Sequence, residues 1–170
     1  TLERPEDEWQ FRDNDEIRVV DGTGTVLHTP PPHTEIEELM KELCAFANSE
    51  EGEFIHPIVR GIILHFLIGY IHPFNDGNGR CARTIFYWYA LRQDYWLFEY
   101  MAISRAIKET KGQYKKAYLY TETDNNDLTY FIRYNLRAIV HTVQEIQAYI
   151  KKEQEEQFRT LQMTEEGLNL

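Results

Sequence analysis

His72-Pro73-Phe74-Asn75-Asp76-Gly77-Asn78-Gly79-Arg80-Cys81-Ala82-Arg83 is the stretch on which the rest of the chain turns. Within a dozen positions it holds an imidazole, a carboxylate, two glycines around an amide and two arginines. On its N-terminal side, Ile58 to Ile71 is apolar on nearly every face, the mark of a helix at the centre of a bundle. On its C-terminal side, Arg80 to Arg92 reads as a second helix carrying Ile85, Phe86, Trp88, Tyr89 and Leu91. A polar, glycine-bearing loop between two such helices reads as a site rather than a linker.

Further outward the pattern stays helical, with one exception. Ile17 to Val20 and Thr25 to His28 are β-branched runs about the turn Asp21-Gly22-Thr23-Gly24, which predicts a hairpin over about 17–28. Thr29-Pro30-Pro31-Pro32 blocks further pairing. Thr34 and Glu37 have capping-box spacing ahead of a helix with Ile36, Leu39, Met40, Leu43 and Ala47 on one face. Pro57 suits the first turn of the next helix. Ser104 is the expected cap of a short helix ending near Gly112. Asp127 is the expected cap of a long last helix facing inward with Leu128, Phe131, Ile132, Leu136, Ile139, Val143, Ile146 and Ile150. The expected fold is an all-α helical bundle with one appended β-hairpin. Residues 1–16 read as a loosely held arm, 17–150 as the domain, and 151–170 as a solvated helical extension.

Composition narrows the partners. A chain of 170 residues can bury one sizeable core. Its net charge of −10 disfavours nucleic acid, which is bound by neutralising phosphates with Lys and Arg. No apolar run is long enough to cross a bilayer. A start at Thr1 with neither Met nor leader reads as an excised or processed fragment. Cys44 and Cys81, far apart and without metal-ligand spacing, are expected as buried reduced thiols in a reducing, cytoplasmic setting, with delivery into a host cell left open.

The loop residues suggest phosphate chemistry by themselves. Amides around Gly77, Asn78 and Gly79 fall at a helix N-terminus, where free N–H groups and the dipole favour an anion. Arg80 and Arg83, three apart, share a side of that helix. Asp76 offers a hard oxygen to Mg²⁺, which is held by one or two carboxylates plus substrate phosphates. His72 can take a proton from a hydroxyl. The set suits in-line attack of a hydroxyl on phosphorus.

His72-x-Phe74-x-Asp76-Gly77-Asn78-Gly79-Arg80-x-x-Arg83 resembles the Fic motif at every specified position, and Leu64-His65-Phe66 ahead of it is similar to the family's approach to the loop. The resemblance implies a Fic-type helical bundle and a protein adenylyltransferase that moves AMP from ATP, its substrate, to a Tyr, Thr or Ser hydroxyl of a target protein. It implies His72 as general base, Phe74 as the loop's anchor in the core and Asp76 as the Mg²⁺ ligand. Gly77, Asn78 and Gly79 would surround the α-phosphate, and Arg80 and Arg83 would hold the β- and γ-phosphates. The hairpin looks like the family's flap, with Val26, Leu27 and His28 as the edge that docks the target. The family's Asn-Arg-x-x-Tyr-Tyr region is present only as Thr110-Lys111-Gly112-Gln113-Tyr114-Lys115, in which Tyr114 matches one nucleotide-pocket position.

The family's inhibitory pattern, Ser or Thr, three residues, then Glu and Gly or Asn, is not matched at Ser49–Glu53, at Thr34–Glu38 or around Thr164-Glu165-Glu166-Gly167. An inhibitory helix is then expected upstream of Thr1 or on a partner. A homo-oligomer stays open. Alternatives are another Fic-type phosphoryl transfer, removal of AMP, and a non-catalytic nucleotide-sensing or interaction module. The plainer readings place His65 in the core, His28 and His56 as loop or cap residues, Cys81 as packing and Phe86-Tyr87-Trp88-Tyr89 as core.

Overall fold

The computed structural model describes residues 10–20, 22–49 and 52–168, with side chains described through 163. Among these residues six α-helices follow a two-stranded sheet. Strands β1 (Val19–Val20) and β2 (Val26–His28) pair antiparallel, Val19 with His28 and Val20 with Val26, with an irregularity between the two pairs. The helices are α1 (Ile36–Asn48), α2 (Pro57–Ile71), α3 (Asn78–Arg92), α4 (Ile103–Glu109), α5 (Lys111–Thr123) and α6 (Thr129–Leu168). The all-α bundle with its appended hairpin is therefore the observed fold.

The core is built around α2, for the reason its composition gives. One side of α2, with Ile58, Ile62 and Phe66, joins Phe86, Phe98 and Phe131 in one apolar cluster. The opposite side, with Leu64, Ile68 and Ile71, joins Ile36, Leu43, Ala82 and Tyr89 in a second. A helix that feeds two cores needs no polar face. It also fixes the direction in which its last residue, next to His72, leaves the bundle.

Several local expectations are corrected. The capping box at Thr34 does not form: His33–Glu35 is a 3-10 turn and no side-chain cap bond is made there. The turn is instead held from a distance, since the His33 amide donates to Asp15 Oδ1 at 2.6 Å. Ser104 lies within α4 behind Ala102 and makes no cap. On α6, Asp127 does accept from the Thr129 amide at 2.9 Å. Phe131 is buried and Leu128, Ile132, Ile139, Val143 and Ile146 pack against the core as expected, whereas Leu136 and Ile150 point outward and Tyr134, Asn135, Ala138 and Thr142 join the buried stripe. Asn135 and Thr142 fit there because each donates to a carbonyl of its own helix, Asn135 Nδ2 to Phe131 O and Thr142 Oγ1 to Ala138 O. Cys44 is exposed and Cys81 half-buried, both free.

The greatest departure is in the N-terminal segment. Residues 1–9 lie outside the described residues, as do Asp21 of the hairpin turn, positions 50–51 and 169–170. From residue 11 the segment is tightly held. Arg12 is 3% exposed. Its Nε donates to His72 O at 3.0 Å, its Nη1 to Asn14 O at 2.8 Å and Asp15 Oδ1 at 3.0 Å, and its Nη2 to Pro31 O. The Arg12 amide donates to Pro73 O at 2.8 Å. One guanidinium thus joins the segment, the central loop and the exit of the hairpin.

Candidate active site

The loop between α2 and α3 closes on itself through Asn78. Its Nδ2 donates to Phe74 O at 2.7 Å and its Oδ1 accepts from the Phe74 amide at 2.9 Å. Both ends of the amide are used, and Asn78 is 3% exposed, so its side chain is a staple and only its backbone faces a ligand. Phe74 is half-buried and belongs to neither apolar cluster; its ring meets Phe11 at 5.7 Å. The buried member of the loop is Pro73. The expected core anchor is therefore shared between Pro73 and Asn78, with Phe74 gripped from outside.

Gly77 precedes α3 with φ 88°, a backbone that a side chain rarely adopts, and a Cβ there would stand 3.3 Å from Arg80 Nη2. The first bond of α3 runs from Cys81 N to Gly77 O at 2.9 Å, which leaves the Asn78 and Gly79 amides at the positive end of the helix. A Cβ on Gly79 would lie 3.3 Å from Arg83 Nη1. Asp76 Oδ2 accepts from Arg80 Nη2 at 2.7 Å, and Oδ1 from the Gly77 amide. Arg83 makes no hydrogen bond or ion pair among the described residues. Its charge is felt beneath the loop at His65 and Tyr114.

His72 ends α2 in the left-handed region, φ 50° and ψ 57°. Its Nδ1 lies 3.1 Å from Gly69 O. A carbonyl only accepts, so Nδ1 carries the proton and Nε2 keeps its lone pair. Burial pushes the His72 pKa down; the Gly69 bond opposes this, and His28 and Arg12 add to it. The imidazole is kept neutral, the state a proton acceptor needs.

A cleft of about 190 Å³ opens between the hairpin, the loop and α5. His72, Asn78, Gly79, Tyr114, Leu27 and His28 all line it. Phe74, Asp76, Gly77, Arg80 and Arg83 lie outside this lining, as does Val26, which is 52% exposed. His28 is the expectation the structure changes most. Rather than an open docking residue, it is 6% exposed, with Nε2 2.7 Å from Tyr70 O and Nδ1 2.5 Å from Glu122 Oε1.

Sequence reasoning missed Arg12 and much of α5. Lys111, Lys115, Tyr118 and Leu119 line the cleft beside Tyr114. The signal was available as helical spacing, since 111, 114–115 and 118–119 fall on one face. Tyr114 OH and His65 Nε2 are 3.3 Å apart with stacked rings. Burial raises the Tyr114 pKa to about 12 and lowers that of His65 to about 3, with Arg83 also lowering the latter. His65 is a core residue, as expected, and sits directly under the site.

Comparison with known proteins matches residues 2–90 to the model of the Fic/DOC family. The chain belongs to that family. It is 40% identical over 58 residues to a protein adenylyltransferase Fic of Nematostella vectensis, covering 34% of this chain. To the protein adenylyltransferase Fic of Drosophila grimshawi it is 34% identical over 68 residues, 40% of this chain. It spans 14% of the length of either relative. Its fold is similar to that of a Fic family protein from Desulfovibrio desulfuricans, with TM-score 0.70, 28% identity, and coverage of 82% of this chain and 41% of that one. Among the described residues no helix is long and apolar enough to cross a membrane.

Proposed function

We propose that this chain carries a protein adenylyltransferase site that moves AMP from ATP to a Tyr, Thr or Ser hydroxyl of a target protein. The observation that carries the reading is the His72 imidazole, held neutral with its Nε2 lone pair free, in one cleft with Gly79 at the head of α3 and Leu27 of the flap. In the step, the target oxygen attacks the α-phosphorus and its proton passes to His72 Nε2. The new O–P bond forms as the bond to the β-phosphate oxygen breaks, and pyrophosphate leaves. The Asn78 and Gly79 amides meet the charge that develops on the α-phosphate. Arg83, unpaired among the described residues, and Arg80 hold the departing phosphates.

Among the described residues no three His, Cys, Asp or Glu side chains gather around one point. Asp76 alone fits Mg²⁺, which takes few protein oxygens when phosphates and waters supply the rest. When bound there, such an ion would supply positive charge that offsets the charge of the phosphates.

Incubation with α-labelled ATP and Mg²⁺ is expected to label this protein or an added target, with the mass of AMP added. γ-Labelled ATP should transfer nothing. His72→Ala should abolish transfer; label that persists in His72→Ala overturns the assignment of the base.

A further inference from the structure

We propose that His28 is a positioning residue that latches the flap over the cleft by bridging the last turn of α2 and the body of α5. The inference rests on the reading of the hairpin as the edge that presents a target hydroxyl to His72.

The hairpin cannot hold itself in place. It has two residue pairs, and Val20 and Val26 are 48% and 52% exposed, so it buries little. Isolated hairpins are marginal in water. His28, at the end of β2, is buried where its neighbours are not, and both ring nitrogens have neighbours outside the hairpin. Nε2 reaches Tyr70 O, which can only accept, so the ring donates there. Nδ1 lies against the Glu122 carboxylate, on the cleft-facing side of α5. The side chains around the ring are Tyr70 of α2 at 5.4 Å, His72 of the loop at 6.4 Å, and Tyr118 of α5 at 6.0 Å between centroids.

The geometry at the end of α2 ties this latch to the site. The last carbonyls of a helix lack intrahelical donors. Here Gly69 O is met by the ring of His72 and Tyr70 O by the ring of His28. Two imidazoles, one from the loop and one from the flap, finish the same helix end side by side. Release of His28 would bare Tyr70 O, free β2 and remove the neighbour against which the His72 ring rests. His28 touches no reacting atom. It acts through the flap and through His72.

The test uses the whole chain and three readouts: hydrogen exchange of the flap amides, ATP affinity by calorimetry, and AMP transfer at saturating ATP. For His28→Ala, flap exchange should rise about tenfold or more and transfer should fall about tenfold, with ATP affinity within about twofold. His28→Gln, which restores an N–H donor towards Tyr70 O, should recover much of both. Should His28→Ala fail to fold, Glu122→Ala removes the side chain that Nδ1 faces and should speed flap exchange about threefold. Unchanged flap exchange in these variants, or a His28→Gln no better than His28→Ala, overturns the latch. Exchange reads the latch even if the wild-type chain transfers no AMP. That outcome would overturn the adenylyl-transfer reading and leave the latch to be judged by exchange alone.

Discussion

The loop and the flap face each other across one cleft and are held in opposite ways. The loop is closed mainly by short-range bonds, Asn78 on Phe74, Arg80 on Asp76 and His72 on Gly69, none more than four positions apart, with residues 11–12 added from outside. The flap is fixed by residues far along the chain, with His28 on Tyr70 and Glu122 and its exit on Arg12. A locally closed loop keeps its shape whenever its flanking helices form. A flap held from outside keeps its place only while the rest of the domain is assembled, which makes it the natural part to move.

Arg12 is where that contrast is most easily broken, since it grips both sides. Arg12→Ala leaves the carbonyls of His72 and Pro31 without their donor in a buried setting. Each such group costs about 1–3 kcal/mol, so urea melts should show a loss of about 4 kcal/mol in all. A loss below about 1 kcal/mol would mean that loop and flap stand without it. Next in size is the acid response of the layer beneath the loop. His65 is neutral in the fold down to about 3, whereas in the unfolded chain it takes a proton at 6.5. Stability should therefore be full above 6.5 and fall as pH descends, by about 3 kcal/mol near pH 4, with His72 adding in the same direction. His65→Gln should flatten that slope; an unchanged slope would place the titrating group elsewhere.

Asn78→Ala tests the loop's self-closure. It removes two buried hydrogen bonds at once and should cost about 2 kcal/mol, with AMP transfer reduced while flap exchange stays as in the wild type. Flap exchange that rises with it would show the two regions to be one unit. The smallest effect belongs to Val26→Ser at the exposed edge. Stability should change by less than about 0.5 kcal/mol, and only transfer to an added target should weaken. A large loss of stability would place that edge against the body of the domain.

The difference between local and distant contacts also decided what was legible in the sequence. The order His72 to Arg83 carried most of the loop because its partners lie within a few residues. The sidedness of α2 was equally plain, since a helix apolar all round has only one place to go. Arg12 was not legible: its bond to His72 O spans 60 positions, and a charged segment broken by Pro5 looks the same whether it is free or clamped. The capping box at Thr34 did not form because the chain enters α1 through a 3-10 turn, His33–Glu35, which moves the N-cap to Glu35; the hold on that turn from Asp15, 18 residues away, was not legible either. On α6 most of the inner face was legible, with Phe131 in the core and Leu128, Ile132, Ile139, Val143 and Ile146 packed against it; Asn135 and Thr142 were not, since they are buried with their donors turned onto their own helix. His28 was read at the right place and given the wrong exposure, because a hairpin does not announce what it leans on.

The left-handed backbone of His72 has a consequence for any attempt to improve this protein. A residue with a Cβ held at φ 50° gives up about 1 kcal/mol relative to glycine, which closes helices in this conformation as a matter of course. Position 72 is therefore a place where selection for heat resistance and selection for chemistry pull apart. A library of His72 replacements sorted only for folding should enrich Gly and Asn, and every such winner would have lost the imidazole proposed as the proton acceptor.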